Sequence, residues 1–301
     1  TQSKIDPCCF YKRGNCGDGS THGLTEEPSI ENMKNSFGLV SAHVDDALLS
    51  FSNDQEGRRM RKDFEMKLFN EFNASPEESS GDQIEYLSML VQIDREKGSM
   101  TFRVPKLLRK LKQMLEEIKN CRGAHPKGGK LKYPMNPYNQ DIFEETSERN
   151  PIVPYTEYDS RSVLGLAAYI VLHTRPDCAY STAVCARFSG CRNTENVVKA
   201  INHLAWYLID TEEDHVLTFW KSESSSGLNA FSDASFANCP ITRKSHYGYF
   251  LRYGENIFGW RSKLQSIPAL SSRDSELIAS FECIKHLLGV RFFLCETGFL
   301  H

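Results

Sequence analysis

No stretch of this 301-residue chain is apolar for long enough to cross a bilayer. Its longest uninterrupted apolar run, Val163 to Leu172, is about half of the roughly 20 residues that a spanning helix needs. A basic-then-apolar leader is missing, so nothing argues for secretion. The opening Thr1-Gln-Ser-Lys-Ile-Asp6 also lacks an initiator Met, as expected of a chain cut from something longer. The ten cysteines include no Cys-x-x-Cys, the spacing on which most zinc and dithiol frameworks are built. Cys8, Cys9, Cys16 and His22 cluster near the start, but their spacing fits no familiar zinc pattern. Free thiols in a reducing compartment are the better reading. Nor is there an excess of positive charge. With 36 Lys and Arg against 39 Asp and Glu the net charge is −3, which is no overall footprint of a nucleic-acid binder.

What is present is an ordinary globular composition, 40% hydrophobic and 25% charged, in a chain long enough for two domains or three small ones. Charge is unevenly placed. Residues 103 to 132 hold ten bases, among them Lys106, Arg109, Lys110, Lys112, Lys119 and Arg122, against Glu116 and Glu117, a local charge of +8. Such a run either tracks a phosphate backbone or is simply a solvated helix face.

Hydrophobic periodicity places the elements. Residues 1 to 36 read as loop-rich, with Gly14, Gly17, Gly19 and Gly23 breaking any period. The apolar runs Phe37 to Val44 and Ala47 to Phe51 read as a β-hairpin that turns at or beside Asp45-Asp46. A helix is expected from about Gln55 to Phe72, with Met60, Phe64, Leu68 and Phe72 on one side. Strands over Ile84 to Asp94 and Ser99 to Val104 should pair across Glu96-Lys-Gly98. Leu107, Leu108, Leu111, Met114, Leu115 and Ile118 then form a single helical stripe, with the bases off it. Residues 121 to 158 read as a linker rich in Gly, Pro, Asn and Glu. Helices follow over Ser160 to His173, Cys178 to Phe188 and Glu195 to Ile209, the first two separated at Arg175-Pro-Asp177. Leu228 to Ala237, Tyr247 to Tyr253 and Asn256 to Ser262 suit a three-stranded meander, and a closing helix from Ser272 to Glu296 ends at Gly298.

Two acidic pairs stand out in this frame. Adjacent carboxylates at a tight turn repel each other unless a cation lies between them, so Asp45-Asp46 is either a divalent-ion site or a solvated acidic turn. Asp233 lies in the first strand of the late meander. Glu276 lies early in the closing helix, where Ser271-x-x-Asp274 can serve as a cap. A helix after a three-strand meander tends to pack back across the sheet. If it brings these two together, they make half of a two-metal site for phosphodiester hydrolysis; if not, they are two separate exposed acids.

Taken together, several segments resemble the Pol polyprotein of copia-type LTR retrotransposons. His43-Val-Asp-Asp-Ala-Leu-Leu49 is similar to the reverse transcriptase box usually written Tyr-Val-Asp-Asp, and Asp6-Pro-Cys-Cys-Phe10 to the segment leading into it. Arg161-Ser-Val-Leu-Gly165 and Thr174-Arg-Pro-Asp-Cys-Ala-Tyr180 resemble the helical connection downstream. Asn229-Ala-Phe-Ser-Asp-Ala-Ser-Phe236, Thr242-Arg-Lys-Ser245, Trp260-Arg-Ser-Lys263 and Ala269-Leu-Ser-Ser-Arg-Asp-Ser-Glu276 resemble that family's RNase H domain, in order.

The resemblance implies an α+β fold. A polymerase-like palm, an antiparallel sheet with helices, and a thumb-like part would occupy 1–122. A linker and helical connection would occupy 123–222, and a C-terminally incomplete RNase H-like α/β unit 223–301. It implies an RNA-directed DNA polymerase with RNase H, working by two-metal nucleotidyl transfer and RNA-strand hydrolysis in the complete protein. Asp45, Asp46, Asp233 and Glu276 would be catalytic ligands of magnesium or manganese, two ions per complete site. Lys106, Arg109, Lys110, Lys112, Lys119 and Arg122 would grip nucleic acid. Trp260 and Lys263 would shape the fold and the hybrid groove. The implied partners are an RNA template, a DNA primer, the RNA–DNA hybrid, deoxynucleotide triphosphates and the remainder of the polyprotein, with no membrane. The implied location is a cytoplasmic virus-like particle or the nucleus.

Departures from the family pattern bear on activity. Each site needs a further carboxylate, one from a strand before Asp45 and one after the closing helix, and this chain carries neither. It is therefore expected to be inactive alone, and a catalytically lapsed relic that binds nucleic acid or acts structurally is the alternative. His43 stands where the family has Tyr, and Ser88 where it usually has Gly beside the primer.

Overall fold

The computed structural model describes residues 1–6, 8–13, 36–43, 46–72, 82–118, 122–126, 129–190, 193–221 and 227–299. They belong to two compact units, Thr1–Leu87 with Lys285–His301, and Ser88–Ile284. The architecture is α+β, with antiparallel sheets and packed helices.

In the first unit, β1 (Cys9–Arg13), β2 (Phe37–His43) and β3 (Asp46–Phe51) form an antiparallel sheet in that order. The helix α1 (Gln55–Phe72) packs on β2 and β3. Asp54 caps it by accepting the Gly57 amide at 2.7 Å, and that bond holds the Asp54 carboxyl below its ordinary range. Met60 is buried, and the Phe51 and Phe64 rings meet at 6.4 Å, so the expected apolar side of α1 does face the hairpin. The short β4 (Gln83–Tyr86) follows, with Tyr86 Oη donating to the Ser41 carbonyl at 3.4 Å.

In the second unit, β5 (Met89–Asp94), β6 (Ser99–Arg103) and β7 (Leu217–Trp220) pair antiparallel in that order. The helices α2 (Pro105–Glu116), α3 (Ser160–Thr174), α4 (Ala179–Phe188) and α5 (Glu195–Asp210) enclose the main core, in which Leu111, Ile170, Ile201 and Leu204 are fully buried. Segment 129–158 forms no regular element, yet Leu131, Met135, Ile142, Val153 and Tyr158 are buried in the same core. A three-stranded meander of β8 (Leu228–Ser235), β9 (His246–Tyr253) and β10 (Asn256–Leu264) follows in the order β10-β9-β8. The last helix, α6 (Ser272–Thr297), belongs to this unit as far as Ile284 and to the first unit from Lys285. Asp274 donates its amide to Ser271 Oγ at 3.1 Å, the expected cap. At the far end Gly298 takes φ +72°, and Phe299 donates to the Leu294 carbonyl at 2.8 Å.

The loop-rich region before Phe37 contains the short β1, whose Cys9 is buried against β2. Two expectations need correction. The single strand expected from Ile84 to Asp94 is broken at Leu87 and Ser88, whose φ angles of 50° and 62° lie in the left-handed region. The strand β7, which the sequence pattern did not indicate, pairs Leu217–Trp220 with residues of β6 more than a hundred positions away.

Candidate metal and nucleic-acid binding residues

The hairpin exists as expected. The register of β2 and β3 runs from Gly38 against Phe51 to His43 against Asp46. A two-residue connection, Val44-Asp45, joins them. Asp45 lies outside the described residues. Asp46 opens β3 at the closing pair of the hairpin, opposite His43.

At the second pair, α6 runs along β8. Glu276, Ser280 and Cys283, at i, i+4 and i+7, meet three successive parts of that strand. Ser280 Oγ lies 3.3 Å from Ser232 Oγ, and the Cys283 thiol lies 3.9 Å from the Phe231 carbonyl. Glu276 Oε1 accepts the Ala234 amide at 3.3 Å. The fold thus brings the Glu276 carboxylate to the residue next to Asp233. Asp233 and Ser232 both line a cavity of about 580 Å³. Among the described residues, no group of three or more His, Cys, Asp and Glu is arranged to hold a metal ion.

The basic residues divide in two. Lys106, Arg109, Lys110 and Lys112 lie on the exposed side of α2, opposite the buried Leu108, Leu111 and Leu115. Arg122 is different. Its guanidinium pairs with Glu157 and, at 3.4 Å, with Glu195, tying segment 122–126 to the start of α5. Lys119 lies outside the described residues. Nearby, Arg103 clasps Glu213 through two bonds of 2.8 Å. Burial and the neighbouring Glu213 together push the Glu212 carboxyl up.

Sequence reasoning missed the cavity beneath Asp233. It lies between the meander and the α3–α4 junction, walled by Tyr138, Tyr180, Phe231, Phe250 and Trp260. Trp260 is fixed there by its indole N–H, which donates to the Val171 carbonyl at 3.1 Å. His246 lies buried on the same face, its Nε2 2.8 Å from Ser262 Oγ and its ring edge-on to Tyr180. Burial, aided by the positive charge of Arg187, lowers its pKa to about 4. The available signal was Gly248, a glycine inside the aromatic strand His246-Tyr-Gly-Tyr-Phe250, where a missing side chain leaves room for something else.

Comparison with known proteins finds similarity over nearly the whole chain. A retrovirus-related Pol polyprotein from transposon TNT 1-94 of Nicotiana tabacum is 26% identical over 294 residues, 97% of this chain and 19% of that protein. The Transposon Ty1-JR1 Gag-Pol polyprotein of Saccharomyces cerevisiae is 24% identical over 289 residues, 88% of this chain and 15% of that protein. A shorter relative, Secreted RxLR effector protein 161 of Plasmopara viticola, is 31% identical over 132 residues, 43% of this chain and 86% of that protein. The chain thus spans less than a fifth of each of these two polyproteins. No family model matches the chain. No solved structure matches it.

Proposed function

Since the chain belongs to the retrotransposon Pol polyproteins, we propose that it contributes to an RNA-directed DNA polymerase with an RNase H activity, completed by the rest of the polyprotein. The observation that carries this reading is the approach of Glu276 to the strand of Asp233, a contact between residues 42 apart that the two sequence motifs anticipate.

The donor chemistry fits a hard divalent cation such as magnesium or manganese. Carboxylate oxygens are the ligands these ions prefer. Glu276 uses Oε1 on the Ala234 amide, while its Oε2 and both Asp233 oxygens have no hydrogen-bond partner among the described residues. Asp233 and Glu276 would hold ions for hydrolysis of the RNA strand of a hybrid, and Asp45 and Asp46 ions for nucleotidyl transfer to a primer. When bound, such ions supply a nucleophile of lowered pKa and neutralise charge on the reacting phosphate. The Ala234 amide orients the Glu276 carboxylate. The exposed Lys106, Arg109, Lys110 and Lys112 offer phosphate contacts to the template–primer duplex.

The alternative is a relic that binds nucleic acid or acts structurally, without chemistry. Both readings are tested within a full-length Pol polyprotein carrying this segment. Asp233→Asn or Glu276→Gln should reduce RNA cleavage of a hybrid by at least about a hundredfold, about 2.7 kcal/mol of barrier. Asp45→Asn or Asp46→Asn should abolish primer extension. Activities equal to the parent in these variants would leave only the relic.

A further inference from the structure

The basic run of residues 103 to 132 meets acids from a distant part of the chain. Immediately after α5, Glu212, Glu213 and Asp214 place three carboxylates in a row, at the end of a helix where the macrodipole disfavours negative charge. The chain then enters β7, whose register sets Leu217 opposite Phe102. The acidic turn therefore passes beside Arg103, the residue with which the basic run begins. Each acid there faces a base of the run. Arg103 donates Nη1 to Glu213 Oε1 and Nη2 to Glu213 Oε2, both at 2.8 Å. Asp214 pairs with Lys130 at 2.6 Å. Glu212 lies in the fields of both Arg103 and Arg109.

Two features set the Glu213 contact apart from a simple fastening. Its two parallel bonds are the fork that a guanidinium also offers to a phosphate. The Glu213 side chain is 69% exposed, against 28% for Arg103, so the carboxylate can swing into water at little cost while the guanidinium stays in place. Arg103 also stands at the edge of the proposed nucleic-acid surface. Only Val104 separates it from α2, whose Lys106, Arg109, Lys110 and Lys112 lie on the exposed side. Because Glu212 feels both Arg103 and Arg109, these two guanidinium groups adjoin the same acidic turn.

A carboxylate in that position competes with a polyanion for the same donors. We infer that Arg103 is a further phosphate-binding residue of the α2 surface, masked by Glu213, which takes up its guanidinium as two phosphate oxygens would. The inference rests on the reading of α2 as a nucleic-acid surface and adds to it a residue and a built-in competitor. Masking differs from its rivals in what it predicts. A purely structural pair leaves binding unchanged when the carboxylate is neutralised. A general electrostatic field raises affinity equally with or without Arg103. Masking makes the gain depend on Arg103.

The test is titration of a fluorescently labelled RNA–DNA hybrid with the 301-residue chain in EDTA, over a series of salt concentrations. Glu213→Gln should bind about two- to fivefold more tightly than the parent, the worth of an exposed ion pair no longer opposed to binding. Its salt slope should steepen by about 0.7–0.9, one phosphate contact. In an Arg103→Gln background the same change should bring no gain in affinity or slope. Glu213→Ala should repeat the gain, with thermal melting verifying that each variant is folded. Where Arg103→Gln does not fold, the slopes of the two Glu213 variants decide alone. A parent that binds no hybrid at any salt removes the α2 surface and this inference with it. A parent that binds, beside Glu213 variants of unchanged affinity and slope, overturns the inference alone, as does a gain that persists in full without Arg103.

Discussion

Arg175 and Asp177 face each other across Pro176 in a two-pronged ion pair, Nε to Oδ1 at 2.9 Å and Nη2 to Oδ2 at 2.7 Å. The guanidinium is 4% exposed and also donates to Thr211 Oγ1 at 2.8 Å and to the Leu208 carbonyl at 3.4 Å. The break between α3 and α4 is thereby fastened to the end of α5. Burial alone would raise the Asp177 pKa. The guanidinium outweighs it and holds the carboxyl below its ordinary range.

Asp177→Ala should therefore cost about 3 kcal/mol in urea unfolding, at the low end for a broken buried pair because Asp177 keeps 29% of its side-chain surface exposed. A group whose folded pKa is depressed stabilises above its unfolded value of about 3.9 and loses that contribution as pH falls through the folded pKa. The difference between parent and variant should be constant above about pH 5 and shrink below about pH 4. A loss under about 0.5 kcal/mol at pH 7 would mean that the buried guanidinium is satisfied without the carboxylate.

His246 sets a second and higher window. Its pKa is lowered from an ordinary 6.5 to about 4 because the charged ring would be buried. Between those values the unfolded chain binds a proton that the folded chain does not, so stability rises with pH across this range and is complete above about pH 6.5. Acidification from pH 6.5 to 4 should remove on the order of 3 kcal/mol. In His246→Gln, which keeps a polar partner for Ser262, this slope should flatten. An unchanged slope would assign the acid sensitivity elsewhere.

How far these features could be read in the sequence depends on the range of the interactions behind them. The helix α1 begins at Gln55 and ends at Phe72 as periodicity indicates, because its spacing and its Asp54 cap are local. The stripe of α2, the β8–β10 meander and the glycine cap of α6 were legible for the same reason. Pairing of Leu217–Trp220 with β6 was not, since four residues carry too short an alternation to stand out. The motifs indicated that Glu276 approaches the strand of Asp233, but not that this strand lines an aromatic cavity. Likewise, charge counting placed Arg122 with the lysines of α2, whereas Glu157 and Glu195, distant in sequence, engage it.

Ser88 occupies a backbone conformation that favours glycine. With φ at +62° its Cβ crowds the following carbonyl, a cost of about 1–2 kcal/mol that glycine avoids. Part of that gain is offset by the greater freedom glycine has when unfolded. Ser88→Gly should therefore stabilise the chain by about 0.5–1 kcal/mol, and Ser88→Val should destabilise it by more than that. Denaturant midpoints decide the matter, and a destabilising Ser88→Gly would show that the Ser hydroxyl has a role of its own.

The exposed bases of α2 and the engaged Arg122 should separate in a binding experiment. Counterion release makes affinity for a polyanion fall with salt, by a slope of about 0.7–0.9 per phosphate contacted. Replacing Lys106, Arg109, Lys110 and Lys112 together by Gln should reduce the salt slope for an RNA–DNA hybrid by about 3, if each meets one phosphate. The fold should barely change, since these side chains lie outside the buried stripe. Arg122→Gln should do the reverse. Loss of its pairs with Glu157 and Glu195 should lower the unfolding midpoint, while the salt slope stays within about 0.5 of the parent. A quadruple variant that binds the hybrid with the parent's salt dependence would remove α2 from the interface. An Arg122 variant that lowers the slope as much as a lysine would show that its ion pairs open on binding.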